Sequence, residues 1–168
     1  MIKVVSRNIL RFLMLVLVQV LILNNIEISG YLTPYIYIIF IILLPFETPV
    51  WLSLILGFSL GLSIDIFTET IGMHTASTVF IAYIRPYILL SFAPRDGYEP
   101  GTFPRVYYYG LPWFIKYAAI LVFAHHLMLF YIEMFQFRDF FSTLLRVILS
   151  SLFSITLIVA SQFFVFRK

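Results

Sequence analysis

No cysteine occurs anywhere in the 168 residues. That excludes disulfides, thiolate catalysis and cysteine-ligated metals, and it leaves the redox state of the compartment unreadable. Charge is scarce too: Asp, Glu, Lys and Arg make up 11% of the chain, against roughly 25% in a soluble globular domain. In their place stand hydrophobic residues at 62%, with a mean hydropathy of +1.01. A water-soluble fold of this size cannot hide that much apolar surface, so the bilayer is the expected solvent for most of the chain. The isoelectric point of about 9.2 does not point to nucleic acid. The basic residues cluster at the ends of apolar runs, where membrane topology accounts for them.

Motifs of chemistry are missing as well. There is no Walker A loop, no nucleophile elbow, no HExxH pair and no set of carboxylates at catalytic spacing. His125 and His126 are adjacent, so on a helix they point about 100° apart and cannot both face one metal. They read as neutral histidines that bond neighbouring helices, with a proton relay to Glu133 as the alternative. Gln19 likewise reads as a bond to a neighbouring helix, and Ser150, Ser151 and Ser154 read as small packing residues. The expectation is a non-enzyme with no cofactor and no metal.

What is present is a series of apolar runs. They predict an all-α membrane protein, one domain over residues 1–168, with six transmembrane helices in a single bundle. The spans fall at 7–23, 34–44, 50–67, 73–92, 112–134 and 140–166. All must be helical, because an open sheet edge cannot be satisfied in lipid. The first run resembles a signal peptide but is followed by NNIEISGY and not by a small-residue cleavage site, so it reads as a retained span. The second is short for a crossing, which takes about 20 residues; it is either tilted, extended by its flanks or partly re-entrant. The segment 93–111, which opens with APRDGYEPGTFPR, is the one long polar break.

Charge orients the bundle. With the N-terminus inside, Lys3, Arg7, Arg11, Arg95, Arg105, Lys116, Arg167 and Lys168 are cytoplasmic, and Arg138 and Arg146 lie at the outer face. This bias predicts cytoplasmic termini and makes 93–111 a cytoplasmic loop. Tyr107, Tyr108 and Tyr109 suit an interfacial belt. PRDGYEPG, with Arg95, Asp96, Tyr98 and Glu99, has turn residues and alternating charge, and suits either an ordered docking surface or a plain loop.

Ser53, Gly57, Gly61 and Asp65 recur at every fourth position and form one stripe of the third helix. Small residues let helix backbones approach where the hydrophobic effect barely operates. The stripe serves either packing inside this bundle or docking of a partner's helix. Asp65 reads as a helix-end aspartate that bonds the next turn or a neighbour, or as part of a polar pocket at the outer face with His74, Glu133 and Arg146. Arg146 is the expected partner of Asp65 or Glu133. Arg85 lies roughly 18 Å below the start of the fourth helix, too deep for Asp65, and is expected to snorkel to the cytoplasmic headgroups. Pro86 beside it should kink or loosen the helix.

The stretches RNILRF, LLPFETP, LGFSLGLSIDIF, GMHTAS, RPYIL, PRDGYEPGT, AHHLMLFYIEMF and LLRVILSS run in this order almost end to end, and with them the chain resembles the MreD family of rod shape-determining proteins. The resemblance implies a bacterial inner-membrane subunit of the elongation machinery, without catalysis. Its implied partners are an MreC-like single-span protein and, through it, the MreB filament, the RodA glycosyltransferase and a class B penicillin-binding transpeptidase, with membrane lipid around it. The fold it implies is similar to the substrate-binding S-components of energy-coupling-factor transporters, six helices around an outward-facing hollow. Two mechanisms are expected from it. In one, the notched face of the third helix, or a neighbouring groove, receives the partner's helix. In the other, the chain is a small-molecule carrier, vitamin-like in its substrate, whose hollow gathers polar groups.

Overall fold

A computed structural model describes residues 2–25, 32–134 and 140–164. The long helices are α1 (Ile2–Leu21), α3 (Val50–Thr68), α4 (Met73–Ser91), α6 (Leu111–Met134) and α7 (Phe140–Phe164), with short helices α2 (Ile39–Ile42) and α5 (Val106–Tyr109) between them. Four stretches are long and apolar enough to cross a membrane: Asn8–Asn25, Val50–Thr68, Leu111–Met134 and Phe140–Phe164. α4 is 19 residues long but carries His74, Ser77, Thr78 and Arg85 on its buried side, and is less apolar. It continues unbroken through Pro86 to Ser91. α4 packs against both α3 and α6, α6 packs against α7, and α1 lies on α3. Arg138 and the turn around it, Arg167 and Lys168 lie outside the described residues, as does most of the NNIEISGY break.

The expected second span is corrected. Of residues 34–44 only Ile39–Ile42 form α-helix. The sequence explains why a regular helix fails here. Two prolines, Pro34 and Pro45, bracket the tract, and five isoleucines between them (36, 38, 39, 41 and 42) are stiff at χ1 and poor helix formers. No face of the tract is polar, which suits a segment enclosed on all sides. Tyr37 through Leu44 are each no more than 2% exposed. The segment threads the bundle interior, with the helices arranged round it.

Irregular backbone in such a place must find partners other than water. The surrounding helices supply them. From α1, Gln19 donates to the Pro34 carbonyl (3.0 Å) and accepts from the Ile36 N–H (2.9 Å). From α7, Ser150 and Ser154 accept from the N–H groups of Thr33 (3.2 Å) and Tyr35 (2.9 Å). From α6, the Tyr117 hydroxyl donates to the Ile42 carbonyl at 3.0 Å. From α4, Arg85 donates to the carbonyls of Leu44 and Pro45 and, through Nε, to Tyr117 at 3.0 Å. Arg85 is therefore turned inward and is 2% exposed; it does not snorkel. The segment's carbonyls offer it acceptors closer than any headgroup.

The glycine stripe also has an internal use. Thr75 backbone and the His74 carbonyl lie against Gly61, so closely that a Cβ added there would sit 2.7 Å from that carbonyl oxygen. At Gly57 the same atom would meet Ala82 Cβ and the Thr78 carbonyl, both at 3.1 Å. The notch of α3 is filled by α4, which removes this face as a seat for a partner's helix.

Two stability effects are expected. Gly61→Ala must push α4 off α3, because its neighbours there are backbone; the expected loss is about 1–3 kcal/mol, larger than for Gly57→Ala. Gln19→Leu keeps volume but strands the buried Pro34 carbonyl, at roughly 1–3 kcal/mol, and the part-buried Ile36 N–H, at less. Thermal unfolding of the purified protein in detergent measures both; a Gly61→Ala midpoint equal to the parent's would contradict the close contact.

Candidate functional site

α1 ends, α3 ends, α4 begins, α6 ends and α7 begins around one cavity of about 420 Å³. Its apolar wall is Val20, Phe67, Met73 and Leu129, and its polar lining includes Asn24, Thr33, Tyr35, Thr70, His74, Glu133 and Arg146.

The floor is set by Asp65. This carboxylate accepts hydrogen bonds from the N–H groups of His74 (3.0 Å) and Thr75 (2.9 Å) and from the hydroxyls of Thr75 (2.6 Å) and Thr70 (2.9 Å). An acidic group on the free N–H groups of a helix start is a favourable arrangement. Asp65 thus does for α4 what a capping residue of its own would do, and the N-cap position itself is Gly72, at φ 80°. Its backbone carbonyl also accepts from Glu69, in left-handed conformation at φ 56°, and from Thr70 at 3.2 Å. One residue ties the end of α3, the turn and the start of α4.

This clamp places the His74 ring under the cavity. His74 is 4% exposed, and among the described residues neither of its ring nitrogens has a hydrogen-bond partner. Nδ1 stands 3.9 Å from Asp65 Oδ1, too far for a bond. Tyr35 meets the ring edge-on at 5.3 Å, and Tyr37 lies parallel to it at 6.1 Å. At the rim, Arg146 Nη1 donates to Glu133 at 3.1 Å, while its guanidinium lies 4.2 Å from the Phe130 ring centroid. Arg146 Nε is buried and has no hydrogen-bond partner among the described residues. Of the two partners expected for Arg146, Glu133 is the one it takes.

No family model matches this chain. No curated protein and no solved structure matches it either. What the site can do has to come from its own chemistry.

The sequence-derived groups separate cleanly. His74, Glu133 and Arg146 line the cavity, with Asp65 beneath it. Ser53, Arg85, Pro86 and Tyr98 line a second hollow of about 230 Å³ near the other ends of α3 and α4, together with Phe46 and Leu89. There Tyr98 stacks on Phe46 at 4.0 Å and donates to the Leu89 carbonyl at 2.7 Å. Burial, with Tyr117 and Tyr109 nearby, pushes the Tyr98 phenol up to about 12, so it stays a donor. Arg95, Asp96 and Glu99 are exposed on the loop, which is ordered by a turn from the Gly97 N–H to the Pro94 carbonyl and by the Gly101 N–H on Glu47. Tyr107 and Tyr108 are exposed, whereas Tyr109 bonds Thr102 at 2.7 Å. His125 bonds the Tyr37 hydroxyl at 2.7 Å and His126 meets Ser154 at 3.2 Å, so both serve interior contacts.

Sequence reasoning missed Tyr35, Thr33 and Asn24 as cavity residues, and Tyr117 as a backbone donor. A signal existed for Tyr35 and Tyr37: two tyrosines in an otherwise wholly apolar tract between prolines mark places where an interior segment meets polar groups.

Asp65→Asn replaces one acceptor oxygen by an N–H₂ that faces donors. The expected cost is about 2 kcal/mol, seen as a lowered unfolding midpoint with early loss of protection at the start of α4 in hydrogen exchange. Unchanged exchange at residues 73–76 would refute the clamp.

Proposed function

We propose that the chain is a non-catalytic membrane scaffold of the bacterial cell-elongation machinery, an MreD-like subunit in the cytoplasmic membrane. On this reading it forms a six-span, S-component-like bundle with both termini cytoplasmic. α4 then crosses beside α3, the segment 33–44 counts as the remaining passage, and the cavity faces outward, as the distribution of basic residues requires.

The observation that carries the reading is how the family-like stretches meet. LLPFETP is held by RPYIL, through Arg85 on the carbonyls of Leu44 and Pro45. LGFSLGLSIDIF is joined to GMHTAS by Gly61 and Asp65. AHHLMLFYIEMF meets LLRVILSS through Glu133 and Arg146, and PRDGYEPGT meets LLPFETP through Tyr98 on Phe46. These stretches interlock as pairs, which supports the reading of their polar residues as parts of one architecture.

The partner implied is an MreC-like single-span protein, linked onward to the MreB filament, RodA and a class B transpeptidase. Its helix has to use a face other than the α4-facing notch of α3. The loop carrying Arg95, Asp96, Tyr98 and Glu99, pinned to Glu47, is the surface offered to a cytoplasmic partner. Affinity capture of the full chain from native membranes, read by mass spectrometry, tests this. Recovery of an MreC-like protein with cell-wall synthases is expected. Recovery of a paired ATPase and its coupling subunit would instead make the chain a vitamin-like carrier and end the scaffold reading.

A further inference from the structure

The second hollow, at the other ends of α3 and α4, is mostly apolar, yet Arg85 and Ser53 line it. Among the described residues Arg85 is the one charge in its lining, and no acid stands there. Nε of Arg85 is spent on Tyr117 and Nη2 on the carbonyls of Leu44 and Pro45. Nη1 donates to no described residue, and the hydroxyl of Ser53, in the first turn of α3, has no hydrogen-bond partner among them either. Neither atom is sealed off as the His74 ring nitrogens and Arg146 Nε are. Arg85 and Ser53 are each 2% exposed, and the hollow they line gives that small surface a space of about 230 Å³ to face. A buried cation with donors to spare favours an oxyanion, which takes short charge-assisted hydrogen bonds.

The position of the hollow selects what carries the oxyanion. Val50 and Leu90 also line it, and they are 44% and 73% exposed, so it opens between them. Val50 begins the apolar span Val50–Thr68, and Leu90 is one residue from the end of α4. The opening therefore lies where hydrocarbon gives way to headgroups. A water-borne anion would meet a wall made largely of Phe46, Pro86 and Leu89, whereas a lipid brings an oxyanion and an acyl chain together. We propose that this hollow binds an anionic membrane lipid, with the headgroup oxyanion on Arg85 Nη1 and Ser53 and an acyl chain along Leu89 and Leu90. A zwitterionic lipid adds an ammonium that an acid-free lining cannot pair. The proposal goes beyond the scaffold reading and does not depend on it.

Native mass spectrometry of the full chain in neutral detergent is the test, with phosphatidylglycerol as probe and phosphatidylcholine of the same acyl chains as control. The anionic lipid should be retained about tenfold more strongly. Leu90→Glu places a carboxylate at the opening on a residue that is mostly exposed, and should abolish that preference. Tyr107→Glu adds the same charge at an exposed position outside the lining and should leave it intact. Arg85→Gln should abolish it too, with a circular dichroism melt to check folding; where that variant does not fold, the two glutamate variants decide. Equal retention of both lipids overturns the proposal, as does a Leu90→Glu protein indistinguishable from Tyr107→Glu. Displacement of the lipid by excess sodium phosphate shows a site for free anions and overturns it as well. Because the readout is lipid retention by the isolated chain, failure here leaves the capture experiment untouched, and the reverse holds too.

Discussion

A peptide backbone that enters the middle of a lipid-embedded bundle without helical hydrogen bonds must be satisfied by side chains. The tract from Thr33 to Pro45 imposes that demand on every long helix around it except α3. α1 answers with Gln19, α4 with Arg85, α6 with Tyr117 and α7 with Ser150 and Ser154. Each of these residues is polar and buried, and each is a cost in an apolar interior unless paired. Together they are a fixed set of sockets, because a carbonyl or N–H left out of register would be an orphan. The register of the inserted tract therefore fixes the rotation of four helices about their axes.

α3 enters this arrangement by a different route. Among the described residues no side chain of α3 is seen to hydrogen-bond the inserted backbone, and α3 meets α4 through missing side chains at Gly57 and Gly61 and through one carboxylate. Close approach and charge work together here. Glycine brings the start of α4 near enough for Asp65 to reach two of its free N–H groups and the Thr75 hydroxyl. The other hydroxyls along α3, Ser59, Ser63 and Thr68, turn back onto carbonyls four residues earlier, a local solution that asks nothing of lipid.

This division of labour explains what the sequence disclosed. The spans that form ordinary helices were legible, because apolar runs with turn residues between them leave few other structures in a bilayer. The interior use of Gln19, His125 and His126 was legible from depth, whereas for Arg146 depth left Asp65 and Glu133 both open. Arg85 was not legible. Its reading rested on distance along a helix to the headgroups, and the competing acceptors were carbonyls of a segment mistaken for a helix, whose own carbonyls would have been occupied. One error about residues 34–44 thus produced the other. The cavity was half legible: the charged rim stood out, whereas Tyr35 and Thr33 belong to the same misread segment.

Arg85 also shows how a cation is kept in such a place without an acidic partner. The ion pair among the described residues, Glu133 with Arg146, does not include it. Its acceptors are two carbonyls and a phenol, neutral groups whose dipoles point at the guanidinium as water would. A planar guanidinium suits this better than an ammonium, since its donors are fixed in a fork and it is more weakly hydrated. The same charge that would be expensive in lipid, at roughly 2.5–3.5 kcal/mol on insertion scales, becomes the clamp on the C-terminal end of the inserted tract. At the other end of that tract stands Tyr35, in the cavity wall. Between the two, Tyr37 to Leu44 are packed with almost no exposure, and interiors of that density yield to strain by moving as units. Tyr35 in the cavity wall and the carbonyls that hold Arg85 are therefore two ends of one tightly packed length of backbone.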